Sequence, residues 1–133
     1  MYEYTARLID NYDGDTLSVE ITLIDETADW GFGEVRTFRE TKAAKLRLYG
    51  VNAPEIRAAG PDGEAARDWV AGWFSLHCPN GWFVLNTFKT SSLNPFDKED
   101  KYGRYLAIVT SPDGRRLNDD LILSGHGVPY MVT

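Results

Sequence analysis

Leu46-Arg47-Leu48-Tyr49-Gly50-Val51-Asn52-Ala53-Pro54-Glu55 is the stretch on which the rest of the chain turns. Its leucines alternate with Arg47, the pattern of a strand with one buried face. The chain then turns at Gly50 and ends in a polar cluster closed by an acid. A cation inside a strand that otherwise reads Leu-x-Leu-Tyr needs a partner, because an unpaired charge beside a core is costly. Lys45 to Val51 therefore predicts a strand that delivers one guanidinium and, just past its end, one carboxylate.

Upstream, Tyr2, Tyr4, Ala6 and Leu8 alternate with polar residues, and so do Leu17, Val19, Ile21 and Leu23. The turn at Asn11–Gly14 joins them as a hairpin. Residues 25–44 are charged and interrupted by Trp30-Gly31-Phe32-Gly33, and read as an extended hairpin or an inserted loop. Trp30 and Phe32 there are candidates for stacking on bases or on a protein partner, or for a hairpin tip folded onto the barrel.

Downstream, Pro61-Asp62 opens a helix with Ala66, Trp69, Val70, Trp73 and Leu76 on one apolar stripe. It stops before Pro79-Asn80-Gly81. Trp82–Phe88 and Tyr105–Thr110 read as further strands. Asn118 is a candidate N-cap for a helix over Asp119–Ser124, with Gly125 as its stop and a short strand over Val128–Val132. Five strands, with one helix between the third and fourth and another near the C-terminus, predict an α+β, mainly β fold: a five-stranded OB-type barrel.

The 133 residues, 43% hydrophobic, suffice for one core and one domain, with the 25–44 segment as an insertion. No run of about 18 apolar residues is present, so no membrane-spanning helix is expected. Met1-Tyr2-Glu3-Tyr4 already follows a strand pattern rather than a leader, which points to a cytoplasmic protein. A monomer is expected. The single cysteine, Cys78, rules out an internal disulfide and a multi-cysteine zinc site. His77-Cys78 reads as packing at a helix end, and no Walker-type loop or serine elbow is present. The net charge of −6 is carried by the first half, where residues 1–66 hold 7 Lys/Arg against 13 Asp/Glu. Long-range steering of a polyanion should accordingly be poor.

Asp13-Gly14-Asp15-Thr16, the stretch from Leu46 to Glu55, and Asp100-Lys101-Tyr102-Gly103-Arg104-Tyr105-Leu106-Ala107 together resemble the staphylococcal nuclease-like (thermonuclease) family. The resemblance covers nearly the whole chain. It implies Ca²⁺-dependent hydrolysis of DNA and RNA, breaking the 5′ P–O bond and leaving 3′-phosphate ends. It implies Asp15 as a calcium ligand, with Asn52 and the Ala53 carbonyl beside it and Asp13 standing behind. Glu55 is implied as the general base on water, Arg47 and Arg104 as the cations on the reacting phosphate, and Lys101 and Tyr102 as the grip on a neighbouring phosphate. Physical chemistry makes the same demands: water needs a base, a hard cation needs oxygen ligands, and the transition state needs positive charge. The chain departs at Asn52, where the family commonly has aspartate. Asparagine keeps an oxygen but drops a charge, which weakens calcium binding. Two alternatives stay open: an inactive OB barrel that binds single-stranded nucleic acid through Arg47, Lys101, Arg104 and exposed aromatics, and a protein-interaction domain whose contact is the 25–44 insertion.

Overall fold

The computed structural model describes residues 2–29, 35–53, 60–88 and 105–130. Strand β1 (Tyr2–Asp13) pairs antiparallel on one side with β2 (Thr16–Asp29) and on the other with β5 (Trp82–Thr87). β2 pairs antiparallel with β3 (Val35–Leu48), and β3 pairs parallel with β6 (Tyr105–Thr110). β6 then pairs antiparallel with β5, so the order β1-β2-β3-β6-β5 closes into a barrel. This is the five-stranded, mainly β fold read from the alternation. A separate two-stranded ribbon joins β4 (Val51–Asn52) to β7 (Val128–Pro129).

Period-2 burial makes the barrel. Leu17, Val19, Leu46, Leu48, Phe83, Leu85 and Val109 point inward and are fully buried. Each contributes about 1.5–3 kcal/mol by leaving water. Helix α1 (Pro61–His77) lies between the third and fourth barrel strands in sequence and packs Phe74 against Phe83, with ring centroids 5.2 Å apart. Helix α2 (Leu117–Leu123) buries Leu117 and Leu121. Among the described residues, no helix is long and apolar enough to cross a membrane.

Several boundaries differ from the sequence expectation. The third strand begins at Val35, not Lys45, because β2 and β3 continue pairing from Thr22↔Thr41 out to Asp29↔Val35. The charged segment is thus a β-arm continuing two barrel strands, and the tip with Trp30 and Phe32 lies outside the described residues. On α1 the buried stripe is Gly63, Ala66, Val70, Trp73 and Phe74, while Leu76 is 74% exposed. At 3.6 residues per turn Leu76 falls well round the helix from the line joining Val70 and Phe74. Asn118 sits inside α2, with Arg116 in the capping position and no side-chain cap. Its amide serves tertiary structure instead. It accepts from Val109 N–H at 3.1 Å and donates to the carbonyls of Tyr49 and Ala107 at 2.9 and 3.0 Å.

Candidate active site

The turn Gly14-Asp15 between β1 and β2 is pressed against two other parts of the chain. A Cβ on Gly14 would lie 3.0 Å from the Cβ atoms of both Ala53 and Ala66. Only a glycine lets this turn approach α1 and the segment after β4 so closely. The Asp15 carbonyl accepts from Leu48 N–H at 2.9 Å, which ties the turn to the end of β3. The Asp15 carboxylate is thereby buried: Oδ2 accepts from Ala53 N–H at 3.1 Å and Oδ1 from the Thr16 hydroxyl at 3.3 Å. Asp13, also buried, pairs with Thr16 across the same turn.

Arg47 lies opposite Thr16 in the β2–β3 register. With Leu46 and Leu48 buried inside, its side chain leaves from the outer face of the barrel. There it is only 12% exposed. Nη2 lies 3.9 Å from Asp15 Oδ2 and donates to Asn52 Oδ1 at 3.4 Å, and Nη1 donates to the Leu48 carbonyl at 3.3 Å. The Tyr130 ring covers the guanidinium, with its centroid 4.9 Å from Cζ. Tyr130 is held there by its N–H on the Gly50 carbonyl at 2.9 Å and by the β4–β7 ribbon. That ribbon packs tightly: a Cβ on Gly127 would meet Val51 Cγ1 at 2.8 Å.

The sequence-predicted residues Asp13, Asp15, Arg47, Asn52 and Ala53 therefore meet around one turn and one guanidinium. Glu55, Lys101, Tyr102 and Arg104 lie outside the described residues. Tyr130 was not anticipated. It carries no local motif, and its place depends on pairing between segments far apart in sequence.

The donor set suits a hard cation. Asp15 is a buried carboxylate whose nearest cation stands off at 3.9 Å, outside hydrogen-bond range, and the Asn52 amide adds a neutral oxygen on the same side of Arg47. A buried carboxylate with so loose a counter-charge has unused capacity for positive charge. Among the described residues, no group of three or more His, Cys, Asp or Glu side chains converges. Among the described residues, the Asn52 amide and the Ala53 carbonyl supply oxygens alongside Asp15.

A second polar cluster lies elsewhere. Asp120 takes a two-pronged contact from Arg115, at 2.6 and 3.1 Å, and a third from Trp73 Nε1 at 2.9 Å. Asp113 accepts from Ser111 and pairs with His77 Nδ1 at 2.8 Å. These bonds clamp α1 to the loop before α2. Burial, helped by the Asp113 charge, pushes the Cys78 thiol up to about 11, so it stays protonated and unreactive near neutral pH. His77 thus pairs with Asp113 and Cys78 is buried at the end of α1.

No protein-family model matches the chain, and no curated protein matches it.

Proposed function

We propose that this protein is a metal-dependent phosphodiesterase acting on nucleic acid. The observation that carries the reading is the meeting of Asp15, Arg47, Asn52 and Ala53, from three separate segments, in one partly buried site. The site juxtaposes a buried carboxylate with a guanidinium whose contacts, at 3.3 to 3.9 Å, are weak ones. Such a guanidinium can exchange them for phosphate oxygens, which accept forked donors well.

In this reading Asp15, the Asn52 amide and the Ala53 carbonyl would hold a calcium ion, which would supply positive charge to the phosphate. Asp13 supports the turn that carries Asp15. Glu55 takes a proton from the attacking water as its oxygen bonds to phosphorus. Arg47 and Arg104 stabilise the extra negative charge that gathers on the phosphate oxygens, and Lys101 and Tyr102 hold the adjoining phosphate. The 5′ oxygen leaves, taking a proton from water, and the phosphate stays on the 3′ oxygen of the upstream fragment. The roles of Glu55, Arg104, Lys101 and Tyr102 rest on the motif resemblance alone.

A second reading is favoured by one contact. Arg47 lies 3.9 Å from Asp15 and donates to Asn52, a partial balance of charge that needs no metal. A barrel that only binds single-stranded nucleic acid fits that balance. Incubating the protein with end-labelled single-stranded DNA in Ca²⁺ or in EDTA separates the two. Shortened products in Ca²⁺ alone support the phosphodiesterase; intact DNA, bound equally in both, supports the binding barrel.

A further inference from the structure

The outer face of the barrel beside Arg47 carries an aromatic surface that the phosphate chemistry leaves unused. Tyr49 follows Arg47 by two residues, in the turn just past the end of β3. It is 42% exposed. Its ring stacks on Phe88 with centroids 4.3 Å apart and planes tilted by 32°. The pair is fixed at its base. Tyr49 N–H donates to the Ala107 carbonyl at 2.9 Å, Phe88 N–H donates to the Leu106 carbonyl at 3.2 Å, and Leu106 pairs with Arg47 in the β3–β6 register. Arg47, Leu106 and Phe88 thus form one row across the strands, with Tyr49 standing over its far end.

The same face of β3 carries exposed Lys45 two residues before Arg47. Lys45 and Arg47 are therefore about 6.6 Å apart along the extended strand, with Tyr49 just past its end. Two cations followed by a ring suit phosphates followed by a base. Phe88 also lines a cavity of about 160 Å³ with Tyr105, whose hydroxyl accepts from Lys42 at 3.2 Å.

We propose that Tyr49 and Phe88 form a nucleobase platform that holds a single-stranded substrate along β3, with the backbone on Arg47 and Lys45 and one base stacked on the exposed face of Tyr49. The proposal rests on the nucleic-acid reading above and adds the residues that sense the base. Stacking needs an unpaired base with a free face, so a duplex cannot use the platform.

The test is titration of the full-length chain, in Ca²⁺ with Glu55→Ala to prevent cleavage, against a single-stranded oligonucleotide and an abasic strand of equal length. The platform predicts tighter binding of the base-bearing strand. Tyr49→Leu and Phe88→Leu should each weaken that binding by at least about fivefold and leave the abasic strand unaffected. Tyr49→Trp should restore it. Circular dichroism and the melting temperature report whether each variant is folded, and the exposed Tyr49 position keeps at least one informative variant. Equal binding of both strands, or Leu variants indistinguishable from the parent, overturns the platform while nucleic-acid binding survives. Binding of neither strand overturns the nucleic-acid reading itself.

Discussion

At the scale of single residues, position 52 sets the metal demand of the site. Asn52 gives Arg47 an acceptor at 3.4 Å but adds no charge to the Asp15 side. Asn52→Asp adds a second carboxylate beside Asp15 and should tighten calcium binding by roughly tenfold, within the range over which ligand charge sets calcium affinity. Isothermal titration calorimetry measures this directly. Unchanged affinity, with no gain in cleavage, would remove Asn52 as the handicap. Residue chemistry of this kind was largely legible in the sequence. A cation in an apolar strand demanded a partner, and Arg47 faces Asp15 at 3.9 Å. Tyr130 was not legible, because an aromatic near a chain end says nothing local about the guanidinium it will cover. Asn118 was misread for a related reason. Its type suits a cap, but three tertiary partners outbid the helix terminus for its amide.

At the scale of elements, the clamp between α1 and α2 is an electrostatic joint with a defined pH response. Its hydrogen bonds from Ser111 and His77 hold the Asp113 carboxyl down to about 2, below its ordinary 3.8. Burial works to raise the Asp120 carboxyl, but the Trp73 and Arg115 donors outweigh it and lower it. Carboxyls depressed in the folded state stabilise it fully above their unfolded values. That stabilisation is lost as pH falls through the folded values. The melting temperature should therefore hold above about pH 4 and decline toward pH 2. Asp120→Asn should melt lower at pH 7 and decline less steeply over that acid window, read by circular dichroism. Parallel pH profiles for the two proteins would contradict the assignment. Strand elements were readable where one face is buried. The outer part of the β2–β3 arm was readable only as an extended hairpin or an inserted loop, because its pairing is carried by backbone bonds rather than by an apolar stripe.

At the scale of the whole molecule, barrel closure brings the turn after β1, the end of β3 and the β4–β7 ribbon to one place. Periodicity could suggest that closure but not establish it, because the parallel β3–β6 pairing that seals the sheet has no local signal. The acidic net charge implies that phosphate is held by a few local cations rather than by a broad basic surface. With about three phosphates neutralised, log K for single-stranded DNA should fall against log salt with a slope of about −2. A slope several times steeper would point to a basic surface that this account lacks.

The central claim is that the site around Asp15 and Arg47 hydrolyses phosphodiesters with Glu55 as its base. The most direct measurement is the initial rate of single-stranded DNA cleavage across a calcium titration, for the parent protein and Glu55→Ala prepared in parallel. The account predicts a saturable, EDTA-sensitive rate in the parent that drops at least about 10²-fold in Glu55→Ala. No cleavage up to about 10 mM Ca²⁺, well above the weakest calcium-module affinities, or an equal rate in the two proteins, would contradict it.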